Sequence, residues 1–226
     1  MILCLETSGK TCSVALAHQG ACIAYSESSE EWSHSKQITL MIRDLLQEVG
    51  KQMADLEAVA VSKGPGSYTG LRVGTSCAKG ICYAQDIPLI SVPTLEIIAA
   101  EVIESSIDKD CKLIPMIDAR RQEVYCSIYD VQLKEEGETH NKILDDASFE
   151  AYSQQRLIFC GDGAHKMQYH AETRPSWTIR PSYAKASHMA SKACLAFDSG
   201  KLEDVAYYIP FYLKPPNITK SKKSLF

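Results

Sequence analysis

The sequence contains no Cys-x-x-Cys pair, no His-Glu-x-x-His or His-x-x-x-His pair, no Gly-x-Ser-x-Gly elbow and no apolar run of about 18 residues. Each absence removes a class. Without paired short spacings, nine cysteines form no zinc ribbon or dithiol redox centre. Without histidines three or four apart there is no helical zinc pair; His165 and His170, five apart, point about 140° away from each other on a helix. The missing elbow excludes the common serine-hydrolase nucleophile. The missing apolar span excludes a membrane helix. Basic charge is also short: 24 Lys and Arg against 28 Asp and Glu leave a formal charge of −4, which excludes a broad basic face that grips nucleic acid by itself.

What is present describes a globular α/β chain. The 226 residues, 45% apolar and 23% charged, suffice for one large or two small domains with real cores. The first residues, Met1 to Glu6, enter an apolar run with no basic region before it, so they read as a first strand and not a signal sequence. With an odd count of unpaired cysteines, mostly in apolar runs, this places reduced thiols in the cytoplasm.

Strands are predicted over 2–7, 12–17 and 21–25, joined by short turns containing Gly9 and Gly20. Ser33 fits the N-cap of a helix in which Ile38, Met41, Ile42, Leu45, Leu46 and Val49 recur at spacings of three and four before Gly50. This stripe is wide enough to cover a sheet, and Met41 and Leu45 could instead extend toward a partner. A buried strand over 56–62 runs into a glycine-rich turn and a helix carrying Gly70, Gly74, Ala78 and Gly80. Glycine inside a helix costs up to about 1 kcal/mol relative to alanine, so this row predicts a face that another backbone approaches closely, a helix crossing being the simplest case.

A strand over 88–92 and a helix capped by Pro93-Thr94 follow, and composition shifts after Ser105-Ser106. The second half predicts strands over 113–117, 124–129 and 157–160, an exposed polar hairpin or loop over 132–146, and a helix over 185–197. Lys214-Pro215-Pro216 and the basic residues after it end regular structure, as a frayed tail or a segment that brushes RNA. Strands alternating with helices, then a smaller repetition, predict an α/β fold of two related lobes with mixed sheets flanked by helices. The lobes are expected at 1–105, completed by the helix near 185–200, and at 106–184, with a basic tail at 214–226.

Three segments could carry chemistry. Glu6-Thr7-Ser8 and Ser13 place a carboxylate and hydroxyls at a β-turn, which could present amides to a phosphate and hold a metal through water; such a turn equally satisfies its own amides. Residues 64–70, GPGSYTG, match neither phosphate-loop pattern, although Ser67 and Thr69 open a helix. Asp118 to Tyr125 crosses between two strands, where its charges could face the cleft between lobes or Arg120 and Glu123 could pair on a hairpin. No self-sufficient catalytic constellation emerges.

Read together, LCLETS at 3–8 with CSVAL at 12–16, the helix start at His34-Ser35, KGPGSYTGLRVG at 63–74, IPLISVPTLE at 87–96 and DARRQEVY at 118–125 are collinear over roughly residues 1–125. In these motifs the chain resembles the bacterial TsaB (YeaZ) family; beyond about residue 130 the resemblance is confined to Gly161-Asp162-Gly163. It implies a two-lobed actin-like ATPase/sugar-kinase (ASKHA) fold. The implied role is that of a non-catalytic partner in making threonylcarbamoyladenosine at position 37 of tRNAs that read codons beginning with A. In such a role the chain binds a homologous TsaD-like catalytic subunit and works with a TsaE-like ATPase, and tRNA is met mainly through the complex.

The resemblance further implies no cofactor of the chain's own, with ATP or ADP and Mg admitted at the interface of the complex, and Glu6, Thr7, Ser8 and Ser13 as the positions of a nucleotide turn. Where many relatives are expected to carry Asp, Glu6 stands one methylene longer, which disturbs a metal–phosphate geometry. For the partner interface the resemblance points to helices 34–49 and 68–85, with His34, Met41, Leu45, Leu71, Gly74 and Ala78 as the contacting residues. The competing readings are a self-sufficient ASKHA-type phosphotransferase, a glycoprotease-like peptidase and, for the isolated chain, a two-fold homodimer.

Overall fold

The computed structural model describes residues 1–28, 34–104 and 108–215. The expected cap at Ser33, the composition shift at Ser105-Ser106 and the tail from residue 216 onward lie outside the described residues.

Three antiparallel strands open the fold, β1 (Ile2–Glu6), β2 (Ser13–His18) and β3 (Ala21–Glu27), followed by α1 (His34–Glu48), β4 (Ala58–Ser62), α2 (Tyr68–Gln85), β5 (Leu89–Val92) and α3 (Thr94–Glu104). The sheet order is β3-β2-β1-β4-β5, antiparallel through β1 and parallel from β1 to β5. Side chains alternate across it with period two. Leu3, Leu5, Val59 and Val61 meet Ile38, Ile42, Leu45 and Ala78 of α1 and α2 on one face. Ile2, Cys4, Ala58 and Ala60 meet residues 186–196 on the other. Covering on both faces is why β1 and β4 read as continuous apolar runs instead of alternating ones.

The second half repeats the path. β6 (Cys111–Asp118), β7 (Glu123–Cys126), β8 (His140–Ile143), β9 (Arg156–Cys160), α4 (Gln168–Glu172) and β10 (Trp177–Arg180) build a sheet ordered β10-β9-β6-β7-β8. From β6 outward, the two antiparallel and two parallel neighbours match those around β1. One face carries Ile114, Met116, Leu157, Phe159 and Trp177; the other packs Leu113, Ile158 and Cys160 against Leu95, Ile98 and Val102 of α3.

Two strands depart from expectation. β8 lies in the segment read as a hairpin or loop: it pairs with β7, but three of its four residues are exposed, so no apolar alternation marks it. β10 is four residues long between Pro175 and Pro181, too short to stand out.

After β10 a 3-10 turn (Ala186–Met189) leads into α5 (Ala190–Asp198), which returns to the first sheet. The chain then runs back over that lobe without regular structure. Glu203 N–H donates to Leu89 O at 2.8 Å, Lys79 Nζ to Ala206 O at 3.1 Å and Phe211 N–H to Lys63 O at 2.8 Å, while Tyr208 is buried in the first core. All nine cysteines are free, six of them buried. Burial pushes the Cys77, Cys82 and Cys126 thiols up to about 11, as expected of thiols acting as small hydrophobes.

Candidate functional site

The base of the β1–β2 turn is enclosed by its own chain, and Gly9 and Lys10 at its tip are exposed. Glu6 and Thr7 are fully buried and Ser8 and Ser13 nearly so. Glu6 Oε1 accepts the Ser8 N–H at 2.5 Å, and Ser13 Oγ accepts the Ala186 N–H at 2.9 Å, so the expected nucleotide residues already serve the fold. Burial pushes the Glu6 carboxyl up to about 6 against the lowering effect of the Ser8 hydrogen bonds. Glu6 Oε2, Thr7 Oγ1 and Thr75 Oγ1 are buried without a hydrogen-bond partner among the described residues.

The glycine-rich loop explains the closure. Ser67 caps α2, its Oγ accepting the Gly70 N–H at 3.2 Å, and its own N–H donates to Ser8 O at 2.8 Å. A Cβ on Gly66 would lie 2.6 Å from Ser8 Cβ, one on Gly70 would overlap the Thr7 carbonyl oxygen, and one on Gly74 would overlap Thr7 Oγ1. The close approach predicted from this row is therefore to the chain's own first turn, not to a crossing helix. Glu6, Thr7 and Ser8 thus have no free face for a phosphate, while Gly9 and Lys10 at the tip of the turn are exposed. Among the described residues, no group of three or more His, Cys, Asp and Glu is placed to hold a metal ion.

The equivalent turn of the second lobe is open and charged. Lys166 Nζ donates to Asp118 Oδ1 at 2.7 Å and to the Glu123 carbonyl at 2.9 Å; Arg120 N–H donates to Asp118 Oδ1 at 2.6 Å, and Asp118 N–H to Asp162 Oδ1 at 2.9 Å. Partial burial opposes the charge on Asp118, but Lys166 and the Arg120 amide hold its carboxyl below the usual range. The expected Arg120–Glu123 pair is replaced: the Glu123 carboxylate takes Asn141 Nδ2 at 2.7 Å and Lys214 of the C-terminal segment.

The residues expected at a partner interface divide sharply. Leu45, Leu71, Gly74 and Ala78 are all buried within the chain itself: Leu45 and Ala78 join the first core, and Gly74 lies against Thr7. None of the four is available at the surface. Met41 is half-buried, its Sδ 3.7 Å from Cys12 Sγ, and the His34 side chain lies outside the described residues.

Between α1 and α2 lies an open groove of about 460 Å³, lined by Ile38, itself part of the first core, and Thr39 from α1 and by Tyr68, Arg72, Val73 and Cys77 from α2. Arg72 lies over the Tyr68 ring, 5.6 Å from guanidinium carbon to centroid, and Tyr212 packs against Tyr68 with centroids 4.7 Å apart. Sequence reasoning missed these α2 residues. The signal was their spacing, 68/72/76 and 69/73/77, offset from the glycine row at 70/74. On this helix Gly80 has nothing within 4 Å of a built Cβ. Gly80→Ala is thus expected to stabilise the isolated chain by up to about 1 kcal/mol, read as a higher urea midpoint; no gain, or a loss, would mean that its neighbourhood is more crowded than the structure places it.

A family model described as "TsaD: tRNA N6-adenosine threonylcarbamoyltransferase" matches residues 28–223. The chain belongs to that family. It is 36% identical over 126 residues to the tRNA threonylcarbamoyladenosine biosynthesis protein TsaB of Haemophilus influenzae, covering 56% of this chain and 52% of that protein. It is 34% identical over 141 residues to TsaB of Escherichia coli, covering 62% of this chain and 59% of that one. The match thus spans little more than half the length of these curated relatives.

Among solved structures, YeaZ of Pseudomonas aeruginosa superposes with a TM-score of 0.76 at 27% identity, over 94% of this chain and 99% of that one. The activator of 2-hydroxyisocaproyl-CoA dehydratase from Clostridium difficile, solved with bound ADPNP, shares the fold alone: TM-score 0.50 at 11% identity, over 88% of this chain and 95% of that one. The resemblance to TsaB therefore holds in sequence and in structure, on a two-lobed ASKHA fold. Among the described residues no helix is long and apolar enough to cross a membrane.

Proposed function

We propose that this TsaD-family chain is a non-catalytic subunit of the cytoplasmic complex that installs threonylcarbamoyl on N6 of adenosine 37 in tRNAs reading ANN codons. It acts by binding a homologous TsaD-like catalytic subunit, with a TsaE-like ATPase joining the complex. The observation that carries this reading is the α1–α2 groove: an open, mostly apolar surface with an aromatic–Arg rim, the composition that anchors protein interfaces. The net charge of −4 suits a subunit that leaves most RNA contact to its partners. Burial of Glu6 and Thr7 under α2 weighs against a self-sufficient phosphotransferase, for which calorimetry of the isolated chain with Mg-ATP would have to reveal binding and turnover.

The groove is tested by Arg72→Glu. The expected result is loss of co-purification with a TsaD-like subunit by at least tenfold, a fall of threonylcarbamoyladenosine in cellular tRNA measured by mass spectrometry, and an unchanged melting temperature. Retention of both complex and modification would refute the assignment. Light scattering over a dilution series distinguishes a homodimer formed through the same surface.

A further inference from the structure

A second cavity, of about 500 Å³, shares no lining residue with the α1–α2 groove; it lies between α3, the 3-10 turn with α5, the β2–β3 turn and residues 132 and 133. Along α3, Glu96, Ala100 and Glu104 follow at intervals of four and form one ridge. The two glutamate positions lie about 12 Å apart along the helix axis, with a small side chain between them. Facing them, His188 and Lys192 are also four apart. Lys192 Nζ lies 2.5 Å from Glu96 Oε1, and His188 Nε2 lies 3.3 Å from Glu104 Oε2. One wall is thus acidic and the other basic.

The inner members of the two pairs are desolvated. Glu96 and His188 side chains are only 7% and 8% exposed, whereas their partners Lys192 and Glu104 are 45% and 67% exposed. His188 Nδ1 is buried and has no hydrogen-bond partner among the described residues. Ile97, Ile103, Leu133 and Leu195 supply apolar surface beside the charges. A pocket of this volume, largely apolar with a few fixed polar groups, has the build of a small-molecule site.

We infer that this cavity binds a small zwitterion with a branched apolar side chain, the chemistry of an aliphatic α-amino acid. The ammonium takes Glu96 on the acidic wall and the carboxylate takes Lys192 on the basic wall, with the buried His188 Nδ1 as a further polar partner. The side chain lies over Ala100 among the isoleucines and leucines. A ligand with one charge satisfies one wall and strands the other, and burying a charge without a partner is costly. Each pair has one solvent-exposed member, Lys192 or Glu104, so a ligand carrying both charges can take its place without leaving the buried member unpaired.

Titration of the full chain with L-leucine, followed by calorimetry and by 1H–15N NMR, tests this. Leucine is expected to shift resonances of Ala100 and Ser191, with 3-methylbutylamine and 4-methylpentanoate, its single-charge counterparts, binding at least tenfold more weakly. Ala100→Trp fills the trough and is expected to abolish the shifts with the melting temperature retained. Lys192→Gln, at a half-exposed side chain, is expected to weaken leucine at least tenfold and decides the matter if the tryptophan variant does not fold. Absence of leucine binding at millimolar concentration, equal binding of either single-charge compound, or full affinity in Lys192→Gln overturns the inference.

Discussion

Gly70→Ala is expected to destabilise the chain by about 3 kcal/mol, the upper end of what overpacking costs in a tight interior. A Cβ there would overlap the Thr7 carbonyl oxygen. Thr7 follows directly on β1, which pairs with β2 on one side and β4 on the other. Backbone held on both sides has no cheap way to retreat, and α2 is itself fixed by the burial of Leu71 and the packing of Ala78 in the first core. Gly70→Ala and Gly80→Ala therefore make a matched pair on one helix, the same added methyl with opposite sign. Urea denaturation of both variants reads the contrast. A loss below 1 kcal/mol at Gly70 would show that the first turn and α2 can slide apart, and the closed turn would lose its steric basis.

Glu6→Gln is expected to stabilise the chain by about 2 kcal/mol at pH 8 and to change little at pH 4.5. The Glu6 carboxyl is pushed by burial from its ordinary 4.5 up to about 6. The folded chain then binds this proton more tightly than the unfolded chain, and its contribution is fully present below 4.5 and disappears as pH rises through 6. One and a half pH units at about 1.4 kcal/mol each give the 2 kcal/mol. Glutamine keeps the shape, leaves an acceptor for the Ser8 N–H and carries no charge at any pH. Urea midpoints at the two pH values decide it: an equal difference at both would mean that Glu6 does not titrate between them.

The first lobe was legible because its signals are local. β1 and β4 show as apolar runs, α1 as spacings of three and four, and the glycine-rich loop as a turn before a helix. The second lobe was less so, since β8 turns three of four residues to solvent and residues 201–212 join the core through Tyr208 and scattered backbone bonds without any period. In the site, periodicity found the apolar face of α1 and the small-residue face of α2 but not what each meets. Leu45 and Ala78 have the same sequence signature whether they cover a sheet or a partner; here they cover the sheet. The groove residues, half-buried Tyr68 and exposed Arg72, alternate along α2 with the tightly packed Gly70 and Gly74.

The return of α5 to the first sheet bears on how the chain is made. Ile2, Cys4, Ala58 and Ile90 are covered on one side by residues 186–196, and roughly eighty residues separate the end of α3 from Ala186. At about 5–20 residues per second, a ribosome needs on the order of ten seconds to supply that cover. During translation one face of the earliest sheet stands bare while the whole second lobe is synthesised, so the first lobe to emerge is the last to be finished, and that interval is when a nascent-chain chaperone would have most to hold.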